Sequence, residues 1–423
     1  MVRTVEGHSP QISSVQDRQV AWVARFLMPF SWLGIDIYIP AITQVGEVLG
    51  TPVPLSISLY TLGLGVGQLL FGPLSDSFGR KTIAIIGMLL FSLFSFLPLL
   101  TRNVDLFLTL RALQGFAASA AFVCADAAIR DRFSGPSALR EYSFIQAAGN
   151  VIPVIAIPFG TLLLIQYGWR GCFVFLGLAG LSMAAYVTYF MSETVSRQKH
   201  DVIKSSINAI NPWKNLPFLG FVLCCCAGFS IIMTYVTLAP YEIMTKLGFS
   251  PWSYGVITSG HALLMGLSAL VFAKIAQSKG AIATLWLTLI FLAVGAAGFI
   301  MSHGWADAAS FIIFSAVIGI GFGGLLGPAS SLAMQPFSES KGKAAAILGA
   351  GQLLGAALVT TLHSHFQLIS RLSLGVTALL LTGLCSLICL GLIRRFGIEH
   401  LQNPSGVADP QYERQGTEVF VRQ

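Results

Sequence analysis

Charge is scarce in this chain. Only 10% of its 423 residues are Asp, Glu, Lys or Arg and 55% are hydrophobic, whereas a soluble domain carries about a quarter charged residues. A chain so poor in charge cannot cover a water-facing surface, which excludes a soluble domain. Short alternating segments of the kind that close into a β-barrel are also missing. There is no His-Glu-x-x-His, no phosphate-binding glycine loop after a strand and no Ser-His-Asp grouping. The polar tails are too short for a signalling domain, so neither a membrane enzyme nor a sensory receptor is expected. Cys124, Cys172, Cys224, Cys225, Cys226, Cys385 and Cys389 all fall inside apolar runs. Without Cys-x-x-Cys spacing or a neighbouring histidine they read as small apolar side chains. No metal or organic cofactor is implied. No cleavable leader is expected either, because Arg25 interrupts the first apolar run and no small-residue cleavage site follows it.

Long apolar runs are what the chain has. About 20 apolar residues cross a bilayer as a helix, and hydropathy predicts twelve spans. They cover 20–43, 54–72, 82–100, 105–129, 140–164, 171–191, 216–240, 252–273, 282–301, 307–333, 344–366 and 373–393. The expected organisation is a polar tail (1–19), a six-helix half (20–191), a polar linker (192–214), a second six-helix half (215–393) and a polar tail (394–423). A short amphipathic helix is expected in the linker around 202–210. Most bases, Arg80, Lys81, Arg130, Arg132, Lys274, Lys279, Arg394 and Arg395 among them, fall on one side of the predicted membrane. Arg102, Arg170, Lys246 and Arg371 fall on the other. The positive-inside rule then places both termini in the cytoplasm, so the net charge of +7 reflects topology and not nucleic acid. The halves echo each other at an offset of roughly 200 residues. Pro40, Leu49-Gly50, Gly79 and Phe133-Ser134 match Pro240, Leu247-Gly248, Gly280 and Phe337-Ser338. Two facing parallel repeats with a site at the midplane is a transporter plan.

Ionisable side chains within spans are costly and mark functional candidates. Asp36 and Arg111 fall at similar depth below the outer surface, which makes them a pair, or a proton-controlled near-pair, or a static structural ion pair. A carboxyl beside a guanidinium stays ionised, and one facing a half-dry cavity holds its proton. A carboxyl alternating between those settings can exchange a proton for a substrate. Asp126 and Arg130 share a helix face and read as an i,i+4 ion pair. Arg25 reads as snorkelling to the headgroups, and His261, His363 and His365 carry less weight. The expected cavity lining is polar and uncharged: Tyr38, Tyr60, Gln68, Gln114, Gln146, Asn150, Tyr235 and Gln352, with His261. Few polar anchors in an apolar, aromatic wall suit an amphipathic organic substrate; the alternative for each is a hydrogen bond between helices.

Gly72-Pro-Leu-Ser-Asp76-Ser-Phe-Gly79-Arg80-Lys81 joins the second and third spans and cannot lie in hydrocarbon. Gly72 and Gly79 permit a tight turn. Asp76 is expected to accept from a helix N-terminus and to pair with Arg130, forming a latch that closes the cytoplasmic side; the alternative is a purely topogenic loop whose Arg80-Lys81 only holds orientation. This string resembles the loop 2–3 signature of the major facilitator superfamily of transporters. Asp36-Ile-Tyr38-Ile-Pro40-Ala41 and Gly72-Pro-Leu-Ser-Asp76 resemble the Bcr/CflA branch of bacterial drug:proton antiporters. So do Gly168-Trp169-Arg170, Ser192-Glu193-Thr194, Tyr235 with Ala239-Pro240, and Gly248-Phe-Ser250. Arg111-Ala-Leu-Gln114-Gly115, with Arg130-Asp131 after it, resembles the superfamily's span 4 motif, whose arginine is implicated in proton coupling. Gly149, Pro153, Pro158 and Gly160 resemble the span 5 antiporter motif, thought to keep helices close and the transporter leak-tight. They lack its double glycine, a departure that bears on the direction of transport and not on the fold.

The resemblance implies an all-α membrane protein of twelve transmembrane helices in two pseudo-symmetric halves. It implies proton-coupled efflux of a small amphipathic drug or metabolite from the bacterial inner membrane, by alternating access. The alternative is an importer of a small metabolite on the same fold. The proton is the coupling ion. The expected partners are the substrate, protons and membrane lipid, and a monomer suffices because one chain supplies both halves.

Overall fold

The computed structural model describes residues 15–50, 54–133, 135–194, 211–305, 307–337, 341–368 and 370–402. The predicted linker helix near 202–210 lies outside the described residues, as do the side chains of Gln146 and Asn150.

In hydrocarbon every backbone N–H and C=O must be satisfied within its own segment, so apolar runs become helices. The helices are α1 (Val15–Asp36), α2 (Ile42–Leu49), α3 (Leu55–Phe78), α4 (Arg80–Phe96), α5 (Val104–Arg132), α6 (Gly135–Phe190), α7 (Leu216–Pro240), α8 (Pro251–Lys279), α9 (Ala281–Met301), α10 (Ala308–Met334), α11 (Lys341–His365), α12 (Arg371–Phe396) and the short α13 (Ile398–Gln402). Eleven segments among the described residues are long and apolar enough to cross a membrane, with Val15–Leu49 counted as one and Val151–Phe190 as another.

The second of these is two spans. Gly168 adopts φ 67°, ψ −174°, a region essentially confined to glycine. In a continuous helix, residues twelve apart would be separated by about 18 Å. Instead the Cys172 thiol reaches the Gly160 carbonyl at 3.6 Å, and the rings of Phe159 and Phe175 meet edge to face at 4.9 Å. The chain therefore reverses at Gly168, and the predicted spans 140–164 and 171–191 are its two arms. With that reversal the membrane-length segments among the described residues number twelve. Gln44 of α2 accepts from the Trp169 backbone N–H at 2.6 Å and so caps the second arm.

The echo between the halves is visible in the backbone. Gly79 (φ 96°, ψ 144°) separates α3 from α4, and Gly280 (φ 85°, ψ 158°) separates α8 from α9. Both turns need a conformation that side chains exclude. Gly50 and Gly248 also have positive φ. Asn103 and Asp307 cap α5 and α10 through the same bond, each carboxyl or amide oxygen accepting the backbone N–H three residues on. The first helix of each half is interrupted at its proline. Pro40 sits in a 3-10 turn between α1 and α2, and Pro240 opens a wide π-helical turn, Tyr241–Lys246.

Two compact units are present. One holds the helices of the first half together with Val236–Gly266 and Ala357–Leu368. The other holds the rest of α7, Leu267–Ala356 and α12. In the second unit the Cys224-Cys225-Cys226 triplet of α7 points three ways. Cys224 contacts Cys385 and Cys389 of α12, Cys225 bonds Gln352 of α11, and Cys226 packs on Gly355 of α11. All seven cysteines are free, and all but Cys226 are buried.

Candidate functional site

The first half encloses a full positive charge without a carboxylate partner. Arg111, on α5, has no exposed surface. Its guanidinium donates to the Gln114 side-chain oxygen one turn on, and Nη2 donates to the Gly34 carbonyl of α1 at 3.1 Å. Ring faces close the remaining sides: Tyr38 at 4.2 Å, Tyr60 at 4.7 Å and Phe173 at 5.8 Å. A desolvated cation over aromatic faces gains about 2 kcal/mol, which helps replace the lost hydration.

The ring positions are fixed in turn. Tyr60 donates to the Ser31 carbonyl at 2.7 Å, and the Tyr38 and Ser56 hydroxyls bond at 2.7 Å. Gly34 leaves room for Tyr60, since a Cβ there would lie 2.5 Å from its hydroxyl oxygen. Gly115 packs directly on the Tyr60 backbone carbonyl, which brings α3 and α5 together at this level. Gln114 is itself held from α4. Its Nε2 donates to Ser95 Oγ at 2.7 Å, and Ser95 donates to the Phe91 carbonyl at 2.6 Å.

Asp36 ends α1, two residues past Gly34. The residue is 8% exposed, and its Oδ2 is buried with no hydrogen-bond partner. Of the expected arrangements of Asp36 and Arg111, the ion pair is not formed: neutral acceptors and ring faces hold Arg111 instead. The two share Tyr60 as a neighbour, and the Gly34 carbonyl, two residues before Asp36, takes the guanidinium.

Other expectations change in the same way. Arg25 does not snorkel. It makes a two-pronged bond to Glu141 of α6, 2.9 Å at each prong, with Trp22 and Phe144 on its faces. Glu141 was not singled out from the sequence. Asp76 does not latch onto Arg130. It pairs with Arg80 one turn on, while Arg130 pairs with Asp126 at 3.0 Å, the expected i,i+4 bridge. Arg80 is the hub, reaching Ser75 at 2.6 Å and Asp131 at 3.3 Å. Glu193, not Asp76, accepts from the α4 N-terminus, taking the Arg80 and Lys81 backbone N–H groups at 2.9 and 3.2 Å. Gly72 makes no turn: it lies within α3 with open space around it, because the helix runs on to Phe78 and only Gly79 takes the positive-φ conformation that ends it.

Among the expected lining residues, Tyr38, Tyr60 and Gln114 are buried around Arg111, and Gln352 bonds Cys225. Gln68 is buried on α3, and Tyr235 of α7 is buried and stacked on Phe311 of α10 at 6.1 Å. His261 is half-buried on α8. In the span 5 motif, Gly160 lies against the Ile37 backbone, next to Asp36, and Pro158 and Thr161 lie against Gly255 of α8. Close approach there needs no double glycine. Gly149 has no neighbour at its Cβ position, and Pro153 lies in the same arm.

The duplication does not repeat the charge. Gly87 of α4 packs on Ala120 of α5, and Thr288 of α9 packs on Gly324 of α10 in the same register. That register, with the shared caps at Asn103 and Asp307, places Ser315 where Arg111 stands, Ile318 where Gln114 stands and Ala296 where Ser95 stands.

The comparisons agree with this architecture. Residues 21–360 match the family model described as Major Facilitator Superfamily. The chain is 30% identical over 341 residues to a chloramphenicol resistance protein of Pseudomonas aeruginosa, covering 78% of this chain and 81% of that one. It is 27% identical over 387 residues to the multidrug resistance protein MdtL of Vibrio parahaemolyticus, covering 90% and 94%. The crystal structure of a D-xylose–proton symporter superposes with a TM-score of 0.68 at 17% identity, covering 88% of this chain and 97% of that one. A bacterial homologue of the human lysosomal transporter Spinster, inward-facing and occupied, gives 0.69 at 13% identity, covering 90% and 98%. With four-fifths of its length matched by the family model and twelve membrane-length segments among the described residues, the chain belongs to the major facilitator superfamily.

Proposed function

We propose that this protein exports a small amphipathic organic compound in exchange for protons, by alternating access. The observation that carries the reading is Asp36 Oδ2, buried without a partner in a span, two residues past the Gly34 carbonyl that holds an arginine whose own contacts are all neutral. An ionised carboxylate in that setting costs several kcal/mol unless paired, so in this arrangement Asp36 carries a proton. Opening the site to water, or bringing Arg111 within reach, favours the ionised form. A helix movement that alternates these settings loads and releases a proton once per cycle. The drug-resistance names of the relatives support export over import and a drug-like substrate such as chloramphenicol.

The distribution of bases supports a bacterial inner-membrane location with both termini cytoplasmic. That places the Gly79–Lys81 turn on the cytoplasmic side, where the Arg80 cluster with Asp76 and Asp131 acts as the gate. Gln68, Tyr235 and His261 remain the candidates for substrate contact. No metal or organic cofactor is needed, the chain acts as a transporter and not an enzyme, and one chain suffices.

The test uses energised inverted vesicles carrying wild type or Asp36→Asn, a pH-sensitive dye and a panel of antibiotics, siderophores and sugars. The expected result is proton release on adding one compound to wild-type vesicles, and none with the variant. Uptake of a compound by intact cells along the proton gradient, with no release in the vesicles, would make the protein an importer.

A further inference from the structure

We propose that Ser95 is a positioning residue for Arg111: it fixes which end of the Gln114 amide faces the guanidinium. The argument is one of hydrogen-bond direction. The Ser95 hydroxyl donates to the Phe91 carbonyl at 2.6 Å, and a carbonyl can only accept. The single Ser95 proton is thereby committed, and its lone pairs face Gln114. They can only accept, so the amide nitrogen must turn toward Ser95, as it does at 2.7 Å. The amide oxygen must then turn toward Arg111, where it accepts from Nη1. Reversing the amide would set donor against donor at Arg111 and acceptor against acceptor at Ser95. A serine on α4 that does not itself bond Arg111 therefore holds the guanidinium in its neutral cradle, away from Asp36.

The second half supports this as a linked unit. Where Arg111 gives way to Ser315, Gln114 gives way to Ile318 and Ser95 to Ala296. A serine kept only for packing between α4 and α5 would have no reason to disappear together with the charge.

The titratable groups facing the cluster are Asp36 and Tyr38 around the end of α1, Tyr60 of α3 and Cys172 of α6; α4 contributes the neutral Ser95. Loss of the Gln114 contact frees Arg111 to approach Asp36, the carboxyl on which the proposed exchange depends. The transport consequence rests on that reading, whereas the positioning itself does not.

The test reads Arg111 directly. In arginine-¹⁵N-labelled protein in nanodiscs, the Arg111 Nη signals are identified by their loss in Arg111→Lys. Wild type is expected to give two separate Nη signals. In Ser95→Ala their exchange should quicken about tenfold, matching the loss of one hydrogen bond to a charged group. Ser95→Thr should restore the wild-type rate. Ser95→Cys, similar in size and a poor acceptor, serves if the alanine variant fails to accumulate. In a Gln114→Leu background, Ser95→Ala should add nothing. Unchanged exchange in Ser95→Ala, or an equal change with Gln114 absent, would overturn the proposal. The pH profile of vesicle proton release should shift in Ser95→Ala and not in Ser95→Thr. If wild-type vesicles release no protons for any compound, the export reading fails, and the Nη exchange still decides the role of Ser95.

Discussion

Breaking the Arg25–Glu141 pair should cost far more than removing it. Both prongs measure 2.9 Å, Glu141 is 1% exposed and Arg25 is 13% exposed. Taking away one member of a buried ion pair leaves an unpaired charge and costs about 3–5 kcal/mol. Replacing both by apolar residues of similar volume is often neutral. Arg25→Met alone strands the carboxylate of Glu141, the more deeply buried partner, and should fall at the upper end of that range. Glu141→Leu strands a guanidinium that still has Trp22 and Phe144 on its faces, at 4.9 and 4.4 Å. Those faces recover about 1 kcal/mol, which places this variant lower. The double variant should come within about 1 kcal/mol of wild type, giving a coupling of about 5 kcal/mol or more. Unfolding of purified protein in mixed micelles by increasing detergent fraction measures all four corners of the cycle. If the two single effects simply add in the double variant, the pair is not a unit and the reasoning fails.

Gly79 and Gly50 separate backbone strain from simple handedness. Gly79→Ala should cost about 1–3 kcal/mol, because its conformation excludes side chains and the new Cβ would lie 2.5 Å from Glu193 Oε2. Gly50→Ala, at φ 72° in open space, should cost only about 1 kcal/mol; the same detergent titration compares them. At the N-cap of α10, hydrogen bonds from the Ser310 backbone and hydroxyl, with Arg371 nearby, hold the Asp307 carboxyl below the usual carboxylate range. A depressed folded pKa gives stability that is present above the unfolded value and lost as pH falls through the folded one. The melting-temperature gap between wild type and Asp307→Asn should therefore narrow as the pH drops below about 4. A gap that widens in acid would contradict the assignment.

Local rules carried the reading of the chain where local physics decides. Gly79, Gly280 and Gly168 stand where the backbone must adopt conformations closed to other residues, and a paucity of charge admits only helices in lipid. Asp126 and Arg130 were legible for the same reason, being one turn apart on α5. The misassigned contacts are those where a nearer partner competes. Asp76 finds Arg80 one turn away before it can reach Arg130, and Arg111 is taken up by the Gly34 carbonyl and the Gln114 amide oxygen. Glu141 carries no local signature, and the Ser192-Glu193-Thr194 resemblance says nothing of what Glu193 binds. Their partners, Arg25 and the N-terminus of α4, lie more than a hundred residues away in the chain, and only the packing of α1, α4 and α6 brings them together. Ser95 is of the same kind: one hydroxyl among many on an apolar helix, given meaning by the direction of two hydrogen bonds.

The span 5 motif shows how a glycine pattern separates into members that matter and members that do not. Gly160 lets the first arm of α6 lie against the turn after α1, where a Cβ would come within 2.5 Å of the Ile37 carbonyl oxygen and 3.0 Å of its Cα. Both are backbone atoms and cannot rotate aside, so Gly160→Ala must push α6 off the turn that follows Asp36. Gly149, eleven residues earlier in the same arm, has nothing within 4 Å of its Cβ position. Gly149→Ala should therefore be silent or slightly stabilising, since alanine is favoured by about 1 kcal/mol in a helix. In vesicles without substrate, Gly160→Ala should raise passive proton leak and lower the unfolding midpoint, while Gly149→Ala changes neither. Equal damage from both substitutions would mean that the motif acts through helix flexibility and not through close approach. Tight, stable Gly160→Ala vesicles would mean that the contact with Ile37 does not seal the protein.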